Sequence, residues 1–123
     1  MITGLGTDII ETKRIEKAMQ SSGFKEKIFS ESEISYCERK ANKFESFAAR
    51  FAAKEAFFKA LGTGWRGAMA FNEVEIINDE LGKPAIQLLG GAAKIAKEKK
   101  ITTIHVSLSH VKEMAVATVI LEA

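Results

Sequence analysis

A chain of 123 residues, 46% hydrophobic and 28% charged with a formal net charge of +2, is sized for one globular domain covering 1–123. It holds no apolar run near the roughly 20 residues that cross a bilayer, and no leader pattern at its start, so neither a membrane nor a secretory role is expected. The charge is too small to imply nucleic acid, and a single cysteine, Cys37, excludes an intrachain disulfide framework and points to the cytosol.

From Ile2 to Ile10 branched residues alternate with short ones, which predicts a strand, and Thr12 is placed to cap a helix running to about Ser21. Ser30 and Glu33 have capping-box spacing for a short helix through about Arg39. A longer helix is expected from Lys43 to Leu61, opened by Asn42 and Glu45 and closed by Gly62. Thr63 to Gly67 reads as a loop carrying Trp65. Phe71 to Ile77 reads as a strand, residues 78–84 as a turn into a short strand near Ile86, and Gly90 to Lys100 as a helix. Two β-rich runs, Thr102 to Ser109 and Met114 to Leu121, predict a hairpin. Helices in the middle and strands at both ends give an α+β fold with a largely antiparallel sheet packed against helices.

Charge is uneven along this frame. Lys13, Arg14, Lys17, Lys25 and Lys27 outweigh Glu16 and Glu26, and Lys94, Lys97, Lys99 and Lys100 outweigh Glu98. Both segments are expected as solvated helix faces, but the first also carries Met19 and Phe24, as a partner-binding surface would.

Three places break the pattern. At about 100° per residue, Phe44, Phe47, Ala48, Phe51 and Phe58 form one buried stripe, and Glu55 falls inside it. A carboxylate there needs a cation or hydrogen-bond donors, although a simple helix pair with Lys59 would also satisfy the spacing. On the first strand Gly4, Gly6, Asp8 and Ile10 share a face. Two glycines before an acid clear room for a ligand or another backbone; Asp8 could equally cap the helix that follows. Two such carboxylates suit a hard cation, Mg2+ before others, because it binds through one or two carboxylates plus substrate phosphates. On the strand from Thr102, alternation sends Val106 and Leu108 inward and gathers His105, Ser107 and Ser109 on the other face. That face is either a phosphate contact or plain surface. Neither histidine has zinc-ligand spacing, and Cys37 reads as a buried structural thiol.

Gly4-Leu5-Gly6-Thr7-Asp8-Ile9-Ile10-Glu11 and Arg50-Phe51-Ala52-Ala53-Lys54-Glu55-Ala56-Phe57-Phe58-Lys59-Ala60-Leu61-Gly62 resemble the two signature motifs of the 4′-phosphopantetheinyl transferases, and most of all their short bacterial type. The resemblance extends to Gly82-Lys83-Pro84, to His105 through His110, and to overall length. It implies transfer of 4′-phosphopantetheine from coenzyme A to a serine of apo-acyl carrier protein, in support of fatty acid biosynthesis, with adenosine 3′,5′-bisphosphate released. It further implies that Asp8 and Glu55 hold Mg2+ and that Lys59 lies by the pyrophosphate. Coenzyme binding would fall to Lys59, Gly62, Arg50, Lys83, Pro84, His105 and Ser107. Larger relatives carry a second carboxylate two residues after the first aspartate; that position here is Ile10, which implies a water in its place and leaves Glu11 without an assigned role. The family's assembly implies a homotrimer with sites shared between subunits. Arg50, His105 and Ser107 would then reach the coenzyme's 3′-phosphate across an interface. The basic first helix, with Arg14, Lys17, Met19 and Phe24, is the expected docking face for an acidic carrier protein.

Two other classes compete. A coenzyme A-binding module without turnover would not need Asp8, Glu55 and Lys59 together. A small RNA-binding protein would need exposed aromatic residues, and most of the phenylalanines lie on the buried stripe.

Overall fold

The computed structural model describes residues 1–62 and 69–123. Along the chain lie β1 (Ile2–Glu11), α1 (Thr12–Ala18), α2 (Phe24–Ile28), α3 (Glu31–Glu38) and α4 (Lys43–Ala60), then a 3-10 turn (Phe71–Glu73). After it come β2 (Val74–Asn78), β3 (Pro84–Leu88), α5 (Gly90–Glu98), β4 (Thr103–His110) and β5 (Met114–Glu122). The strands form two antiparallel sheets, one in the order β1-β5-β4 and one pairing β2 with β3. The expected α+β class and the final hairpin both hold. The loop from Thr63 to Gly67, with Trp65, lies outside the described residues.

The larger sheet has two unlike faces. Asp8 pairs with Ala117 and Ala117 with Leu108, while Thr7 pairs with Thr118 and Thr118 with Ser107. The first row faces α4: Ala115, Ala117, Val119 and Leu121 are buried there, and Ile104, Val106 and Leu108 pack against the same core. The second row faces away.

α4 is the centre of the molecule, and the expected stripe understates its burial. Phe47, Ala48 and Phe58 are buried as expected, but so are Ala49, Arg50, Ala52, Ala53, Lys54, Ala56 and Phe57, whereas Phe44 and Phe51 are half-buried. Alanines on several sides let the sheet, α1 and α3 all approach the helix axis, so the helix is wrapped rather than laid on a surface. Phe51, Phe58 and Phe71 then interlock, with ring centroids 5.7 and 5.0 Å apart.

Local signals settled most boundaries. Ser30 and Glu33 form the capping box of α3, and Gly62 takes a left-handed φ of 82° after α4. Two expectations are corrected. Thr12 is the first residue of α1 rather than its cap, with Glu11 in the capping position and making no side-chain cap bond. The strand expected from Phe71 begins at Val74. The Glu73 carboxylate accepts Ala70 N at 2.8 Å and Gly91 N at 2.9 Å, so it folds its own turn and caps α5 at once. Cys37 is buried and its Sγ donates to Ser46 Oγ at 3.4 Å, the structural thiol expected. Among the described residues no helix is long and apolar enough to cross a membrane.

Candidate active site

Glycines build the site by letting a strand touch a helix. A Cβ on Gly4 would lie 2.0 Å from the Ala60 carbonyl oxygen, and one on Gly6 equally close to that of Ala56. The room that the glycines clear is therefore taken by a backbone. With β1 pressed onto α4, Asp8, on the same face two residues past Gly6, arrives beside the helix flank that carries Glu55 and Lys59.

Lys59 Nζ donates to Asp8 Oδ1 at 3.0 Å and to the Thr7 carbonyl at 3.1 Å. Its first partner is thus the strand aspartate and not Glu55 one turn away, although its charge still acts on Glu55. The Glu55 carboxyl is pushed above the usual glutamate range, first by burial and then by the Asp8 charge, against the opposing pull of Lys59 and Arg14. A half-buried carboxyl beside a second carboxylate is what a cation relieves. Their donor atoms are all hard oxygens, so the pair fits Mg2+, which needs no more than one or two carboxylates when substrate phosphates complete its shell. Among the described residues no group of three or more His, Cys, Asp or Glu side chains gathers to hold a metal. Glu11 stands exposed at the strand end and is not among the charges acting on Glu55. A cleft of about 540 Å³ opens between the starts of α1 and α4, walled by Glu11, Lys13, Phe44 and Lys112; Asp8 and Glu55 lie outside it.

The other expected residues fall into separate groups. Arg50 is 3% exposed, stacked 4.3 Å from the Tyr36 ring and donating from Nη2 to Asn78 Oδ1. Asn78 Nδ2 in turn donates to Gly82 O at 3.0 Å, which ties Arg50 to the turn bearing Lys83 and Pro84. His105 and Ser107 lie on the outward face of β4, His105 Nε2 lying 2.5 Å from Glu122 Oε1 on β5. One chain thus sets Asp8, Glu55 and Lys59 on the helix side of the sheet and His105 and Ser107 on the opposite side. Arg14 and Lys17 are exposed on α1, whereas Met19 and Phe24 are half-buried against the core, Phe24 with its ring 6.5 Å from Phe51.

One pair went unread in the sequence. Lys54 and Glu33 are both fully buried and share a 2.7 Å contact. The spacing of a capping box accounted for Glu33, and nothing near Lys54 in the chain announces its partner.

A family model for the 4′-phosphopantetheinyl transferase superfamily matches residues 4–119. The chain belongs to that family. It is 53% identical to the holo-[acyl-carrier-protein] synthase of Ruminiclostridium cellulolyticum over 116 residues, covering 92% of this chain and 87% of that protein. Among solved structures it superposes on the holo-[acyl-carrier-protein] synthase of Neisseria meningitidis with a TM-score of 0.91, 37% identity and full coverage of both chains. The Bacillus anthracis enzyme, crystallised in complex with coenzyme A (3′,5′-ADP), gives a TM-score of 0.83 and 40% identity over 100% of this chain and 98% of that one.

Proposed function

We propose that this chain transfers 4′-phosphopantetheine from coenzyme A to a serine hydroxyl of apo-acyl carrier protein. The serine oxygen attacks the β-phosphorus, the bond to the bridging oxygen breaks, and adenosine 3′,5′-bisphosphate leaves with that oxygen. The observation that carries the reading is the meeting of Asp8, Glu55 and Lys59 where β1 crosses α4, inside a chain that matches its family over residues 4–119.

Each residue has a part. Asp8 and Glu55 would hold Mg2+, which when bound supplies charge neutralisation on the pyrophosphate. Lys59 adds a point charge that meets the developing negative charge of the leaving phosphate. Glu55 would also be the carboxylate at hand to take the serine proton. Arg14, close enough to act on Glu55, joins the docking face on α1 to the reaction centre.

The active species in this reading is a homotrimer. Its support is the outward face of the β1-β5-β4 sheet, where Leu5 and Ile9 are 64% and 61% exposed and Val116 and Ile120 lie between them and His105. A second copy covering that row would bring its own surface alongside His105 and Ser107. The carrier protein served is that of fatty acid biosynthesis, and the free buried thiol of Cys37 suits a cytoplasmic setting.

Incubation with coenzyme A, Mg2+ and an apo-carrier protein, followed by intact-mass measurement of the carrier, tests the reaction. The expected result is one added phosphopantetheine, abolished by a chelator. An unmodified carrier with the folded protein present would overturn the proposal.

A further inference from the structure

Lys54 precedes Glu55 on α4, and neither it nor Glu33 on α3 has any exposed surface. Lys54 Nζ uses all three protons, donating to Glu33 Oε1 at 2.7 Å, to Phe71 O at 3.0 Å and to Val74 O at 2.6 Å. Glu33 is saturated from its other side: Oε1 also accepts Ser30 N at 3.0 Å, and Oε2 accepts Ile76 N at 2.9 Å. The Phe29 ring covers the ammonium at 5.6 Å.

Such a pair is a poor source of stability. Taking two charges out of water cancels most of their attraction, and apolar side chains of similar volume often do as well. What apolar side chains cannot reproduce is direction. A helix turns about 100° per residue, so fixing one side chain on three acceptors fixes the rotation of its neighbours. The acceptors come from α3 and from the segment around β2, on the flank of α4 away from β1. The opposite flank is set by the close approach of Gly4 and Gly6 to Ala60 and Ala56. Between these two constraints stands Glu55.

We infer that the buried Lys54–Glu33 pair is a positioning device for the reaction, setting the rotation of α4 that presents Glu55 to Asp8. Neither residue touches a substrate. The inference rests on the reading of Asp8 and Glu55 as the cation-holding carboxylates.

Lys54→Met alone would strand Glu33 in the core and unfold part of the chain, so the test uses the double variant Glu33→Leu/Lys54→Met, with Glu55→Gln beside it. Three quantities are measured: the melting temperature, the affinity for Mn2+ by electron paramagnetic resonance in the presence of coenzyme A, and the steady-state constants. The double variant should melt near the wild type and bind Mn2+ about tenfold or more weakly, as when partners supporting a metal ligand are removed. Its kcat should fall while KM for carrier protein stays within about twofold. Unchanged Mn2+ affinity in Glu55→Gln would overturn the carboxylate assignment and the positioning role with it. Weakened affinity in Glu55→Gln but wild-type affinity in the double variant would overturn the positioning role alone. If the double variant does not fold, Glu33→Asp, which keeps the charge and draws the carboxylate back by one methylene, carries the same readings: weaker Mn2+ binding is expected, and wild-type binding sinks the inference.

Discussion

Gly6 lies so close to Ala56 that a Cβ on the glycine would sit 2.0 Å from the alanine's carbonyl oxygen. No rotamer relieves such a contact, because the obstacle is helix backbone. Gly6→Ala must push β1 off α4, at a cost at the upper end of, or beyond, the 1–3 kcal/mol typical of overpacking. It also moves Asp8 away from Glu55. The expected outcome is a melting temperature lower by several degrees and a rate that falls further than the folded fraction does. Wild-type melting together with wild-type rate would show that the strand and helix are not in contact.

Glu55→Gln should cost more than two orders of magnitude in turnover and leave the fold intact. Its stability has a definite sign. Burial and Asp8 raise the carboxyl's proton affinity in the folded state, so the favourable contribution is present below the unfolded value of about 4.3 and is lost as pH rises through the folded value. At pH 7 the ionised side chain therefore opposes folding. Without divalent metal, Glu55→Gln should melt above the wild type at neutral pH, with the gap closing below about pH 4. Adding magnesium to the coenzyme A complex should raise the wild-type melting temperature further and that of the variant less. A variant that melts below the wild type at neutral pH would contradict the raised proton affinity of the Glu55 carboxyl.

Docking of the carrier protein is tested on α1. Arg14→Glu should raise the KM for carrier about tenfold and that for coenzyme A less than twofold, and the wild-type carrier KM should climb with salt as the Debye length shrinks below about 10 Å. Arg14 also acts on Glu55, so Lys17→Glu, exposed on the same helix, provides a variant without that coupling. Equal effects on both substrates in the two variants would remove α1 as a dedicated docking face.

What could be read from the sequence was local. The alternation of Gly4, Gly6 and Asp8 placed the aspartate on the inward face, the spacing of Ser30 and Glu33 fixed the start of α3, and alternation in β4 separated His105 and Ser107 from Val106 and Leu108. What could not be read is settled by partners distant along the chain. Lys54 meets Glu33 across 21 positions, and Glu73 is held by the start of α5 as well as by its own turn. Neither pairing leaves a periodic trace. Arg50 shows the same limit from the other side: the motif offers it to a phosphate, but in the fold its guanidinium is stacked on Tyr36 and bonded to Asn78.

That burial also decides how the assembly must be tested. Exchanging Arg50 for an acid would place a charge against Tyr36 and Asn78 inside one chain, so its inactivity would say nothing of a neighbour. His105 is the better probe, because it stands on the outward face and has Glu122 as its partner at the surface. Within one chain Asp8 and Glu55 occupy the other side of that sheet, and the apolar row of Leu5, Ile9, Val116 and Ile120 offers the seam along which a second copy would lie. We predict that the homotrimer is the active form and that His105→Ala lowers activity at least tenfold. Leu5→Asp, which charges the seam, should give monomers with little turnover. Mixing Glu55→Gln with His105→Ala after mild dissociation should restore about a quarter of wild-type activity, since random assortment pairs an intact Glu55 half with an intact His105 half at about one interface in four. Full activity in a monomer by light scattering, or no recovery despite demonstrated subunit exchange, would end the shared-site reading. The chemistry at Asp8, Glu55 and Lys59 would stand without it.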